Sequence, residues 1–323
     1  MARRPVEIAA LCEAVRGGDK RAVARAISLL EDREPRAAEL VAALYPDTGR
    51  AAVTGFTGPP GAGKSTLLGA VVSLLRGDRL RVGVVSVDPS SPYTQGALLG
   101  DRIRLSEHFL DDGVFIRSMS TRGHLGGISE ATLQTLLVLD AAGMDELLLE
   151  TVGVGQSEIE VASVADTVVL VLMPGSGDSI QALKAGVMEI PDVIAINKAD
   201  HPATASMRAD LRSILSLDRA REWRVPVVET EAVTGRGVDE LWQTVLDHRL
   251  HLGERGRLEQ RRRRNLEHEL VAVAVGRARR RLGEAVAADA GLRSLIERVH
   301  ARELDPLTAS AELSERVFGP GRG

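Results

Sequence analysis

Eight consecutive residues, Gly58-Pro59-Pro60-Gly61-Ala62-Gly63-Lys64-Ser65, fit the spacing G-x-x-x-x-G-K-[ST] of a phosphate-binding loop. The spacing has a chemical reason. Glycines let the main chain wrap a polyphosphate so that backbone N–H groups point at its oxygens. Lys64 can then reach the β- and γ-phosphates, the Ser65 hydroxyl a Mg²⁺ ion, and Thr66 the α-phosphate side. About 130 residues further on stands Asn197-Lys198-Ala199-Asp200. The Asp200 carboxylate can accept hydrogen bonds from N1–H and the 2-amino group of guanine. Adenine lacks both donors and would leave that carboxylate unpaired. Lys198 can lay its stem over the base, and Asn197 can tie neighbouring loops together. Together the two motifs imply GTP. Of 41 Lys+Arg only four are lysine, Lys20, Lys64, Lys184 and Lys198, and two of these fall inside the motifs. A compact ammonium serves there where a planar guanidinium would not.

Carboxylates at strand ends near such a loop can hold Mg²⁺ directly or through its waters. Asp88, Asp101 and Glu150 are the candidates, with Gly153 able to offer its N–H to the γ-phosphate. Glycine-rich stretches at Arg122–Gly127, Gly153–Gln156 and Gly175–Lys184 have the permissive backbone that a phosphate-sensing loop needs. His124 has no second His or Cys nearby and reads as a loop histidine with a structural hydrogen bond.

These residues need a scaffold. Between 49 and 253, short Val/Ile/Leu runs alternate with amphipathic stretches. Strands are expected at Ala51–Thr57, Arg81–Val87, Val114–Met119, Glu146–Glu150, Thr167–Met173, Val193–Asn197 and Val225–Glu229. Helices are expected at Lys64–Leu75, Ser129–Ala141, Ser179–Met188, Ala205–Ser216 and Val238–Leu252. The alternation predicts an α/β fold of P-loop NTPase type with a doubly wound, mostly parallel sheet. Residues 1–48 read as a helical extension, with Asp19 an N-cap and Pro35 in the first turn of a third helix. Residues 254–323 read as a helical arm that opens on the run Arg261–Arg264, expected to be a solvated helix face.

Composition narrows the classes. Aromatics are 2% of the chain, which argues against base-stacking nucleic-acid modules, and the net charge of −4 gives no general pull toward nucleic acid or anionic membrane. The single cysteine, Cys12, excludes an internal disulfide framework and reads as a buried helix-face residue. No apolar run reaches the roughly 18 residues of a membrane span, and none of signal-peptide type follows Met-Ala-Arg-Arg-Pro. A soluble cytoplasmic protein is expected.

Gly58–Thr66, Asp88-Pro-Ser-Ser91, Arg122-Gly-His-Leu-Gly-Gly127, Glu150-Thr-Val-Gly-Val-Gly-Gln-Ser157 and Asn197–Asp200, in that order, resemble the MeaB/ArgK (MMAA-like) family of GTPases. These are chaperones of adenosylcobalamin-dependent methylmalonyl-CoA mutase. The resemblance covers roughly residues 8 to 318. It implies a protein that binds GTP and Mg²⁺, hydrolyses GTP slowly to GDP, and docks on an acyl-CoA mutase to gate cofactor loading. Methylmalonyl-CoA mutase is the favoured partner, with isobutyryl- and ethylmalonyl-CoA mutase left open. It further implies a homodimer built by the C-terminal arm, catalytic and metal roles for Lys64, Ser65, Asp88, Asp101 and Glu150, and a third mobile loop with Asp178, Gln181 and Lys184. Two departures stand out. The last guanine loop reads Glu231-Ala232-Val233 in place of the family's Ser-Ala, and position 179 is Ser where an acid is common. No glutamine stands where Ras-like GTPases orient water. Competing readings are a nickel-insertion GTPase, disfavoured by the lack of His-rich tracts, and a kinase or ATPase linked to amino-acid transport.

Overall fold

In a computed structural model the described residues are 7–88, 105–120, 129–151, 161–175, 190–217 and 222–319. The chain divides into two compact units, Met1–Leu266 and Glu267–Gly323.

The first unit is built on seven strands: β1 Ala52–Thr57, β2 Val82–Asp88, β3 Val114–Ser120, β4 Glu146–Thr151, β5 Thr167–Leu172, β6 Val193–Ile196 and β7 Val227–Glu229. They form one sheet of order β3-β2-β4-β1-β5-β6-β7, and every pairing is parallel. β4 and β5 are buried along their whole length, their apolar runs Leu147–Leu149 and Val168–Leu172 suiting strands that helices cover on both faces. The chain passes to one side of β1 for β2 and β3, comes back to β4 beside β1, then crosses to the other side for β5–β7. That reversal opens a crevice at the carboxyl end of β1, where ligands bind in open α/β sheets.

Helices α1 Ile8–Arg16, α2 Lys20–Glu31 and α3 Ala37–Leu44 pack their apolar faces into the same core as α5 Glu130–Ala141 and the β4 and β5 side chains. Cys12 lies in that core. Asp19 caps α2, its carboxylate accepting the Ala22 N–H at 2.7 Å. Pro35 lies two residues before α3 rather than within its first turn, and Arg36 holds the cap position. On the other face, α4 Lys64–Gly77 and α7 Val238–Gly253 pack with Phe56, Leu148 and Val169. α6 Thr204–Leu215 covers β6 near the edge.

The amino-terminal rim of the sheet follows a simple rule. An aspartate stands immediately before each of β4, β5 and β6, and its carboxylate accepts a backbone N–H from a neighbour. Asp145 takes Arg81, Asp166 takes Val53 and Asp192 takes Val168, at 2.7, 3.0 and 2.8 Å. Arginines neutralise the last two of these acids. Arg261 is bidentate on Asp192 at 3.0 and 2.8 Å, and Arg262 on Asp166 at 2.9 and 2.7 Å. The arginine run is therefore not a solvated face at its first two positions. It clasps the rim, because the carboxylates it meets are already committed to strand N–H groups and need a counter-charge.

The long helix α8 Arg257–Ala288 passes the boundary between the units and is followed by α9 Ala290–His300 and α10 Pro306–Phe318. Asp289 and Asp305 cap the last two. Among the described residues of the second unit only Leu292 and Leu295 are buried apolar side chains, while Leu270, Val271, Val275, Ile296 and Leu307 are exposed.

Candidate functional site

β1 ends at Thr57 and α4 begins at Lys64, so residues 58–63 form the turn between a buried strand and a helix N-terminus. The turn is tight enough to require glycine. At Gly58, φ is +139° and a Cβ would stand 2.1 Å from the Val171 carbonyl oxygen on β5. At Gly63, φ is +87° and a Cβ would stand 2.4 Å from Asn197 Nδ2. The helix start adds its positive dipole end to the N–H groups of this loop.

Lys64 is 5% exposed. Its ammonium donates to the carbonyls of Gly58 at 2.8 Å and Pro59 at 3.1 Å. The Ser65 hydroxyl donates to Glu150 Oε1 at 2.6 Å, and Ser86 Oγ donates to Glu150 Oε2 at 3.3 Å. Glu150 is the penultimate residue of β4, 2% exposed, one strand over from the loop. This set is oxygen-only and hard, with a hydroxyl and a carboxylate already in contact, and it fits Mg²⁺ chemistry. Asp88 ends β2 at the same rim, in register with Ser120 of β3. Asp101, Gly153, Asp178, Gln181, Lys184 and His124 lie outside the described residues.

Asn197 is the hub of the second motif. Its Nδ2 donates to Ala62 O at 2.9 Å, while its Oδ1 accepts from Thr230 Oγ1 at 3.3 Å and Ala232 N–H at 3.1 Å. One buried amide thus joins the phosphate loop to the loop after β7. Lys198 turns the chain at φ +57°, a left-handed conformation uncommon outside glycine, and sends its ammonium to Gly61 O at 2.9 Å. Asp200 is exposed on the same turn. Glu231 folds its carboxylate onto Thr234 and Arg236, and Val233 is 88% exposed.

Gly58, Lys64, Ser65, Glu150, Asn197, Lys198 and Ala232 thus converge on one rim of the sheet. The motifs alone do not reveal Ser86 and Thr230. Ser86 had a signal, a hydroxyl inside the apolar run Val84-Val85-Ser86-Val87. Thr230 had none beyond following a strand. Among the described residues no group of three or more His, Cys, Asp or Glu side chains stands ready to hold a metal, and no helix is long and apolar enough to cross a membrane.

Residues 23–287 match the family described as Methylmalonyl Co-A mutase-associated GTPase MeaB. A Pyrococcus abyssi protein named as a GTPase is 46% identical over 315 residues, 96% of this chain and 97% of its own. GTPase ArgK of Escherichia coli is 41% identical over 255 residues, 76% of this chain and 77% of its own. The crystal structure of an LAO/AO transport system kinase superposes with a TM-score of 0.72 at 31% identity, covering 98% of this chain and 99% of that one.

Proposed function

The chain belongs to the MeaB family of methylmalonyl-CoA mutase-associated GTPases, and from that premise we propose that it uses its nucleotide state to gate cofactor loading of an adenosylcobalamin-dependent acyl-CoA mutase. It is a P-loop GTPase. The observation that carries the reading of the site is the Asn197 hub, which joins the loop for the phosphates to the loop for the base.

Each residue then has a role. Lys64 exchanges the Gly58 and Pro59 carbonyls for β- and γ-phosphate oxygens. Main-chain N–H groups of Gly58–Thr66 cradle the polyphosphate. Ser65 would hold Mg²⁺ together with the carboxylates of Asp88, Asp101 and Glu150. Bound Mg²⁺ supplies charge neutralisation for phosphoryl transfer. Asp200 accepts from guanine N1–H and N2–H, and the Ala232 N–H meets O6. Gly153, with Asp178, Gln181 and Lys184 of the third loop, reports the γ-phosphate to the partner. Methylmalonyl-CoA mutase is the favoured partner because the family description names it. The exposed apolar side chains of the second unit support a homodimer.

Two experiments test this. Lys64→Ala is expected to lower GTP turnover by at least about 100-fold in a phosphate-release assay, with the thermal melt preserved. Affinity capture with a non-hydrolysable GTP analogue, from the cells that make the protein, is expected to retain a cobalamin-dependent mutase. Capture that retains none, with nucleotide bound, defeats the gating role. The transport-kinase name of the structural neighbour raises ATP as a rival substrate. ATP that displaces GTP at equal concentration would favour that reading.

A further inference from the structure

The loop Thr230–Gly237 between β7 and α7 closes on a single residue. The Glu231 N–H donates to Arg236 O at 2.9 Å. Its carbonyl accepts the N–H groups of Thr234 and Gly235 at 3.1 and 2.9 Å. Its carboxylate accepts Thr234 Oγ1 at 2.9 Å and lies 3.3 Å from Arg236 Nε. Only glycine closes the far end: at Gly237, φ is +75° and a Cβ would stand 2.1 Å from Glu229 O. The neighbouring Ala232 N–H points out of this ring toward Asn197 Oδ1, 3.1 Å away. The carboxylate of Glu231 is therefore spent inside the loop and not offered to a base.

We propose that Glu231 is a positioning residue for purine specificity, whose carboxylate stiffens the loop so that the Ala232 N–H, held on Asn197 Oδ1, is also presented to the 6-oxo group of guanine as a shared donor. The proposal rests on the guanine site described above. Within the brace the parts are unequal. Arg236 is 61% exposed, so its ion pair adds little. The Thr234 hydroxyl bond to a charged acceptor, with Glu231 only 23% exposed, contributes more. The expected order of effect is Glu231→Ala, then Thr234→Val, then Arg236→Ala.

The probe pair is GDP and 6-thio-GDP. Sulfur at position 6 accepts an N–H poorly, while N1–H and the 2-amino group facing Asp200 are unchanged. Calorimetry of the full chain with Mg²⁺ is expected to show GDP bound about tenfold more tightly than 6-thio-GDP by wild type. Glu231→Ala is expected to weaken GDP about tenfold and 6-thio-GDP less than about twofold, so the preference disappears. Glu231→Gln keeps an acceptor for Thr234 and is expected to stay within about threefold of wild type. Equal weakening of both nucleotides would show a merely structural loop residue and overturn the proposal, as would unchanged GDP binding in Glu231→Ala. Wild-type protein that takes up neither nucleotide would remove the guanine site itself, a failure distinct from loss of the preference.

Discussion

At the scale of single residues, Asp200 is the sharpest instrument for the base. Its carboxylate can only accept, which suits two guanine donors. An amide in its place can accept from N1–H while donating to an oxygen at position 2. Asp200→Asn is therefore expected to shift preference from GDP to XDP by at least about tenfold, read by competition against a fluorescent nucleotide. Retained GDP preference would show that the carboxylate does not face the base edge. The place of Gly58–Ser65 between β1 and α4, and of Asn197–Asp200 just after β6, was legible because the motif spacing is tied to a strand end. Ser86 on Glu150 was not, since that pair depends on the register between β2 and β4, where Ser86 aligns with Glu150. In sequence Glu231 stands only as a departure within the last guanine loop. Its partners three and five residues on became visible only once the loop had closed.

At the scale of elements, the clasp between α8 and the sheet rim sets the next expectation. Asp166 is buried and accepts both the Val53 N–H and the Arg262 guanidinium. Arg262→Ala would leave that carboxylate buried with its counter-charge gone, a loss expected to cost about 3 kcal/mol in urea unfolding. Arg264→Ala, two residues on and exposed, is expected to stay within about 0.5 kcal/mol. Equal effects would mean that the clasp adds nothing to the fold. The seven strands were legible from their apolar runs, and the parallel pairing from their alternation with helices. β7 starts two residues later than expected, because Pro226 has no N–H for the ladder. The clasp itself was hidden. A run of arginines reads as a wet surface until the fold brings acids 69 and 96 residues away beside it.

At the scale of the whole molecule, stability against acid turns on a histidine far from the motifs. His248 is 2% exposed, with Nδ1 2.9 Å from Thr167 Oγ1 and Nε2 3.3 Å from Asp192 Oδ1. Burial pulls its pKa down to about 4 against the opposing pull of Asp192. Between about 4 and the ordinary value near 6.5, the unfolded chain binds a proton that the folded chain refuses. Stability contributed by the neutral ring is thus full above that window and drains as pH falls through it. The expected loss is about 2 kcal/mol between pH 7.5 and 5, by urea unfolding, with a flatter profile in His248→Gln. Sequence suggested three regions, and their helical or strand character was legible. How the N-terminal helices share a core with β4 and β5 was not, because tertiary packing has no local signature. The scarcity of lysine has a practical side at this scale. Lys64 is buried while Lys198 is exposed and leans on Gly61 O. With only four lysines in the chain, an acylating reagent has few side-chain amines to meet, and the acetyl mass gained at Lys198 would serve as a gauge of how full the cleft is.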